Sequence, residues 1–149
     1  MTTYVKNRKA SFDYEILEKF DAGIELFGFE VKAIKSGKGN IEGSHVTVRG
    51  NEAFLLNANI PPYQTENTPT DYNPERNRRL LLTKKELGEL AGLESQKGLT
   101  IVPISMYNSK RKIKIEIAVV RGKKKFDKRE SIKKKDTERD LRREIKEKF

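Results

Sequence analysis

A chain of 149 residues in which 35% of side chains are apolar and 36% are charged has room for one domain around a single compact core, with part of its length outside that core. Its 32 Lys and Arg against 22 Asp and Glu leave a net charge of +10, which favours a polyanionic partner, because each phosphate contacted by Lys or Arg releases a condensed counterion. The absence of cysteine excludes disulfides, thiolate catalysis and cysteine-ligated zinc; with no apolar run long enough for a bilayer and no apolar signal segment over Met1–Lys6, a cytoplasmic protein away from membranes is expected.

In chain order, Phe12 to Phe20 reads as an opening strand of weak alternation, and Phe29 to Ser36 as a short helix closed by Gly37. Ile41 to Arg49 and Glu52 to Asn59 flank Gly50-Asn51 and read as a hairpin with a two-residue turn. A polar loop without periodicity follows, from Pro61-Pro62 to Pro74. Thr83-Lys84-Lys85-Glu86 is a capping box, opening a helix to Ala91 with Leu87 and Leu90 on its apolar face. Leu99 to Tyr107 and Lys112 to Arg121 form a second strand pair around Asn108-Ser109-Lys110-Arg111. There Ile113, Ile115, Ile117 and Val119 alternate with Lys114, Glu116, Ala118 and Val120, which predicts one buried and one wet face. Short strands with helices at the corners imply a mainly β fold with short α-helices. An OB-like β-barrel with embedded helices fits best, since closure removes exposed sheet edges.

Charge divides the chain in two. Residues 1–121, the expected barrel, carry 19 basic and 15 acidic side chains, whereas residues 122–149 carry 13 and 7. The second segment is a basic C-terminal tail whose large apolar residues are Phe126, Ile132, Leu141, Ile145 and Phe149. Such a segment cannot bury enough surface to offset its ordering entropy and is expected to be disordered when free. The four-residue spacing of Leu141, Ile145 and Phe149 predicts a helix that forms on a partner.

Catalytic chemistry is hard to find. His45 is the single histidine, with no second imidazole to complete a metal site. Gly37-Lys38-Gly39-Asn40-Ile41-Glu42-Gly43 departs from a dinucleotide fingerprint in its third glycine, and Lys32 stands where a P-loop needs glycine. The carboxylates alternate with lysines, as on solvated surfaces. No enzyme activity, cofactor or metal is expected.

Three basic clusters remain: Asn7-Arg8-Lys9 ahead of Phe12 and Tyr14, Arg76-Asn77-Arg78-Arg79, and Gly122-Lys123-Lys124-Lys125-Phe126-Asp127-Lys128-Arg129. With no groove-reading helix motif in view, RNA is favoured over DNA. These features alone leave open a generic basic ribosome-associated RNA-binding protein or RNA chaperone, and a metal-dependent nuclease.

The chain also resembles a known family. Asn7-Arg8-Lys9-Ala10, Ala22-Gly23-Ile24, Gly28-Phe29-Glu30-Val31-Lys32, Asn40-Ile41, Arg78-Arg79-Leu80-Leu81-Leu82, Gly122-Lys123-Lys124 and Asp127-Lys128-Arg129 follow, in order, the pattern of the SsrA-binding protein (small protein B) family. The resemblance implies an OB-like barrel that binds the tRNA-like domain of transfer-messenger RNA and delivers it to stalled bacterial ribosomes for trans-translation. Elongation factor Tu with GTP is then present indirectly, through the RNA. The tail is implied to fold as a helix in the decoding region and empty messenger channel of the small subunit.

Carried over by position, Asn7, Asp21 and Leu81 fall on RNA-binding positions of the family. At Asp21 the family commonly has Glu. Arg8, Lys9, Lys35, Arg76 and Arg78 complete the expected RNA-binding set. In the tail, Asp127-Lys128-Arg129 match the accommodation motif, and Phe126 replaces the family's frequent His or Tyr. Lys123, Lys124, Ile132 and Ile145 are the other expected ribosome contacts.

Overall fold

The computed structural model describes residues 2–64 and 68–122. The expected tail helix and the tail candidates Lys123, Lys124, Phe126, Asp127, Lys128, Arg129, Ile132 and Ile145 lie outside the described residues. The elements are β1 (Thr3–Lys6), α1 (Ala10–Asp13), β2 (Tyr14–Ile24), α2 (Gly28–Lys35), β3 (His45–Arg49), β4 (Glu52–Leu56), β5 (Arg78–Leu81), α3 (Lys84–Glu94), β6 (Leu99–Ser109) and β7 (Lys112–Gly122).

The strands run in the order β1-β6-β3-β4-β5-β2-β7, and β7 pairs again with β6. The ring β6-β3-β4-β5-β2-β7 is therefore closed, with every pairing antiparallel and β1 laid along the far half of β6. This is the OB-like barrel expected from the strand spacing. Inside it, Ile34, Ile41, Leu55, Ile60, Leu90, Ile101, Met106, Ile115, Ile117 and Val119 are all buried in one core.

Two bulges let long strands serve more than one neighbour. One interrupts the β2–β7 register between Ile16 and Glu18, and the other the β6–β7 register between Pro103 and Ser105. The second lies where β6 leaves β3, at Ile101, and takes up β1, at Ser105. Proline, which has no N–H for a ladder, is tolerated at such a break.

Several expectations need correction. The opening strand begins at Tyr14, not Phe12, because residues 10–13 form a helical turn, and β1 precedes it. Arg78–Leu81, whose first two residues read as the end of the basic cluster Arg76-Asn77-Arg78-Arg79, is a barrel strand. Its alternation is Arg78 and Leu80 inward, Arg79 and Leu81 outward, and the inward arginine hides the pattern. The β6–β7 loop is shorter than expected: Asn108 and Ser109 stay in the ladder opposite Ile113 and Lys112, and Lys110 and Arg111 alone make the turn, with φ of 49° and 68°. Two-residue hairpin turns of this kind favour Asn or Gly, so Lys-Arg gave no signal.

The supposedly wet face of β7 is wet only along its first half. Ala118 and Val120 are buried in a second, outer cluster with Ala10 and Val102, against which Tyr14, Ile16 and Ile104 pack. The short helix α1 is what covers them.

The helices follow their end signals. Gly37, φ 82°, closes α2: the Gly37 N–H donates to Ile34 O (2.9 Å) and the Lys38 N–H to Ala33 O (2.9 Å). That is a Schellman ending. On α3 the Glu86 N–H donates to Thr83 Oγ1 (3.2 Å) and the Thr83 N–H to Glu86 Oε1 (3.1 Å), the reciprocal capping box. Its last residue, Glu94, accepts from the Val48 N–H (2.8 Å), tying α3 to β3.

The aperiodic loop between β4 and β5 is held by a buried ionic network. Glu30 and Arg78 have no exposed surface. Arg78 Nε donates to Glu30 Oε2 (2.9 Å), and its Nη2 lies 2.7 Å from the same oxygen. The remaining Arg78 donors reach the carbonyls of Ala58 (2.9 Å), Arg76 (3.0 Å) and Pro74 (2.8 Å) and the Tyr72 hydroxyl (3.1 Å). Arg76 donates to both Glu30 oxygens, and the Phe27 N–H donates to Oε1 (2.8 Å). The Tyr72 hydroxyl lies 2.9 Å from Glu30 Oε2 and 2.8 Å from Ile60 O, so its one proton is shared between two acceptors.

Burial alone would raise the Glu30 carboxyl, but the Arg76 and Phe27 hydrogen bonds and the charge and hydrogen bond of Arg78 outweigh it and hold the group below its ordinary 4.5. Burial, then the hydrogen bond and charge of Glu30, push Tyr72 up to about 12. The signs give a window. The Glu30 contribution is complete above 4.5 and is lost as pH falls through the lowered folded value; that of Tyr72 is complete below 10.0 and is lost as pH rises through about 12. Glu30→Gln should therefore cost about 3–5 kcal/mol near neutrality, since it leaves buried guanidinium groups short of a counter-charge. Denaturant titrations across pH should show that difference shrinking under acid; an equal deficit at every pH would contradict the ionic account.

Candidate nucleic-acid interface

The phase of β7 defines the outer surface of the β6-β7-β2 sheet. Ile113, Ile115, Ile117 and Val119 face the barrel core, and Ala118 and Val120 face outward beneath α1. Lys114 and Glu116 share the outward phase but lie beyond the reach of α1. In the ladder they stand opposite Gly23 and Asp21 of β2 on one side, and Tyr107 and Ser105 of β6 on the other.

Asp21 is exposed and buttressed: the Tyr107 hydroxyl donates to its Oδ1 across β7, at 2.7 Å. Burial first, then the Asp21 hydrogen bond and charge and the charge of Glu116, push Tyr107 up to about 12. The phenol thus stays a proton donor, and the carboxylate is fixed with its other oxygen lone pairs open to a further donor. Lys19 Nζ, 3.6 Å from Glu116 Oε1, offsets the second carboxylate of the patch.

Leu81 is 48% exposed beside them, although Leu80 is buried. It pairs with Gly23, where a Cβ would come within 3.1 Å of Leu81 Cβ. Glycine is what allows the leucine to lie flat over β2. The phase of β5 therefore puts Leu81 on the surface and not in the core.

Lys9 shares a cleft with Tyr14, Thr100 and Val102 at the α1-covered end of the sheet, and Arg8 lines a second cleft with Thr3, Lys6 and Asn40. Arg8 and Lys9 are both exposed, at the entry to α1, and neither makes an ion pair with a described residue. Asn7 sets that entry: its N–H donates to Ile104 O (2.8 Å) and its Nδ2 to Pro103 O (2.9 Å), at the β6 bulge. It is 7% exposed, and its Oδ1 has no partner among the described residues. Asn7 lines a cleft of about 480 Å³ with Lys9, Asp13, Tyr14, Glu42 and His45. It positions its basic neighbours more than it presents itself.

Two expected contacts are placed elsewhere. Arg78 is buried, with its donors spent on Glu30, Tyr72 and carbonyls, so it is a framework residue and not a surface contact. Arg76 is a quarter exposed, bonded to Glu30 and stacked 4.1 Å above the Phe27 ring. Lys35 is exposed in the last turn of α2. Sequence reasoning missed Tyr107 as the partner of Asp21, although the alternation that turns Met106 inward points Tyr107 out.

Among the described residues no cluster of three or more His, Asp or Glu side chains could hold a metal ion, and no helix is long and apolar enough to cross a membrane.

The class defined here is a small OB-like barrel whose outer sheet face is partly uncovered and of mixed charge, with further exposed cations at the entry to α1. The sequence profile of the family described as SmpB protein matches residues 4–147. The chain is 48% identical over 147 residues to the SsrA-binding protein of Thermosipho africanus, covering 98% of each. It is 46% identical over 141 residues to that of Trichodesmium erythraeum, covering 95% of this chain and 90% of the relative. A chain solved under the description "tmRNA-SmpB: a journey to the center of the bacterial ribosome" superposes with a TM-score of 0.68 at 43% identity, covering 80% of this chain and 84% of the other. The chain belongs to the SmpB protein family.

The Tyr107–Asp21 contact is open to direct titration. Asp21→Asn, which keeps an acceptor but removes the charge, should lower the Tyr107 transition from about 12 toward, but not to, 10.0. Ultraviolet difference titration should then show one tyrosine leaving the high-pH class; an unchanged profile would mean the contact does not persist in solution.

Proposed function

We propose that this protein binds transfer-messenger RNA through its barrel and accompanies it to bacterial ribosomes stalled without a stop codon, acting in trans-translation without catalysis of its own. The observation that carries this reading is family membership over residues 4–147, together with an outer sheet face on which Asp21 and Leu81 are exposed and a separate exposed pair, Arg8 and Lys9, at the entry to α1. Recognition works by shape and phosphate. Arg8 and Lys9 take phosphates near the elbow of the tRNA-like domain, and Leu81 gives an apolar contact to sugar or base. Asp21 accepts from an N–H or 2′-hydroxyl, since a carboxylate cannot favour phosphate. Lys35 is an auxiliary cation on another part of the barrel, and Arg76, bonded to Glu30, serves the framework there.

In this reading residues 1–121 are the RNA-binding domain and residues 122–149 the ribosome-engaging tail. Lys123, Lys124, Phe126, Asp127, Lys128, Arg129, Ile132 and Ile145 meet the decoding region and messenger channel of the small subunit. Elongation factor Tu with GTP joins through the RNA, and the setting is the cytoplasm. The rival reading, a generic basic RNA binder or chaperone, differs in one measurable respect: it gives no preference among structured RNAs.

Competition at near-physiological salt should show marked preference for transfer-messenger RNA over an unrelated structured RNA. Arg8→Ala and Lys9→Ala should each weaken binding and lower its salt slope by about one counterion. Equal affinity for both RNAs would favour the generic binder, and unchanged slopes would remove Arg8 and Lys9 from the interface. Deleting residues 122–149 should leave RNA affinity nearly intact while abolishing tagging of stalled proteins; tagging that survives the deletion would refute the assignment of the tail.

A further inference from the structure

Exposed large apolar side chains among the described residues are Leu17, Phe27, Tyr63 and Leu81. Leu17 sits at the β2 bulge and Leu81 on the face already described. Phe27 and Tyr63 belong to a separate aromatic group, where α2 meets the loop between β4 and β5. The Phe27 ring carries the Arg76 guanidinium 4.1 Å from its centroid, and Phe29 lies 5.5 Å beyond it. Phe29 is braced edge-on by Tyr72 at 4.7 Å, and Tyr72 is held by the Glu30–Arg78 network. Tyr63 is 39% exposed, with Lys38 Nζ 5.7 Å from its ring centroid.

Gly28, Phe29, Lys32, Tyr63 and Gln64 line an open slot of about 320 Å³. Its walls are aromatic and its rim carries Lys32, with Lys38 close by over Tyr63. A planar base stacks on aromatic rings while its flanking phosphates take lysines, so a nucleotide uses both features of the slot. Asp71 and Glu75 are also exposed in this loop, and positive charge alone is therefore not what the slot offers.

Extended chain leads from the β2 face to Gly28, at the edge of the slot. Asp21, Gly23, Glu25 and Phe27 share one outward phase, and the Glu25 N–H still donates to Arg79 O (3.0 Å), so the extended ladder runs on past β2. The six extended steps from Asp21 to Phe27 span about 20 Å, within reach of one folded RNA already seated on the barrel.

We propose that this slot takes one unpaired base of the bound transfer-messenger RNA, stacked on Tyr63 and Phe29, with its flanking phosphates on Lys32 and Lys38. The inference rests on the RNA-binding reading above and adds a second point of attachment, distinct from Asp21 and Leu81. It gives the rigidly braced Phe29 a purpose that the barrel core does not require.

The chain contains no tryptophan, so Tyr63→Trp places a single indole at the slot. In the full-length protein its emission should be quenched as transfer-messenger RNA is added, in step with binding measured independently. Tyr63→Ala should weaken that binding roughly tenfold, while Tyr63→Phe, which keeps the ring, should bind as the unsubstituted protein does. Unchanged emission at saturating RNA, or Tyr63→Ala binding at full strength, would overturn the slot while leaving the RNA-binding reading standing. Quenching that needs ribosomes would assign the base to ribosomal RNA and overturn the proposal as stated. Failure of the unsubstituted protein to bind transfer-messenger RNA would overturn both readings.

Discussion

The structure turns on a carboxylate that has no exposed surface in a chain of net charge +10. Glu30, in the first turn of α2, gathers two guanidinium groups, a phenol and a backbone N–H from residues as far apart in sequence as Phe27 and Arg78. Buried ion pairs of this kind gain little over well-packed apolar residues of the same size, so added stability is a weak explanation for keeping one. What an apolar cluster could not supply is direction. Arg78 has donors at fixed angles, and they reach Ala58, Tyr72, Pro74 and Arg76, which fixes the path of a loop with no periodic structure of its own. The same network seats α2 on the barrel and braces Phe29 through Tyr72.

Closure of the ring imposes the second constraint. Six strands can close with one short strand, β5, only if the longer ones bend, and the bulges of β2 and β6 supply the bends. The β6 bulge also creates the carbonyls that Asn7 grips, so the break in the ladder is what docks the N-terminal segment and folds α1 over half of the outer sheet. The uncovered half is the candidate RNA face. A carboxylate there would work against a polyanion if it swung freely toward phosphate. Fixing Asp21 with the Tyr107 hydroxyl turns it into an oriented acceptor, and the elevated phenol keeps that arrangement intact across the neutral range.

How much of this could be read beforehand depended on whether a residue obeyed its local rules. The capping box at Thr83, the Gly37 stop, the Gly50-Asn51 turn and the phase of Ile113 to Val119 rest on backbone chemistry alone and were legible. Strand β5 was not, because an inward arginine imitates a surface cluster unless its buried partner Glu30 is known, 48 positions away. The same long-range pairing misled the reading of Arg78 as an RNA contact. Ala118 and Val120 looked like the solvent side of β7 because the cover, α1, is one turn long and carries no helical periodicity. Asp21 and Leu81 were placed by family pattern, and the structure adds what the pattern could not: Gly23 beneath the leucine and Tyr107 against the carboxylate.

The fate of the charges explains why this barrel would need rings and a separate basic segment. In the described body Lys19, Arg76, Arg78, Arg79 and Arg121 are all engaged with carboxylates. The other cations of the body are spread over the entry of α1, α2, α3 and the β6–β7 turn instead of forming one dense cluster. Non-specific attraction from such a body is modest for its length, since its 19 basic side chains are nearly balanced by 15 acidic ones. On the proposed reading selectivity comes from geometry, from the buttressed carboxylate, the leucine over its glycine and the braced aromatic wall, all of which lose their value on a mismatched shape. Residues 122–149 carry 13 basic side chains in 28 positions, against 19 in the 121 before them, so the densest positive charge of the sequence lies apart from the surface proposed to discriminate. A protein that must choose one RNA first and engage a much larger RNA assembly afterwards gains from that separation, because a body as basic as the tail would bind the assembly with or without its cargo.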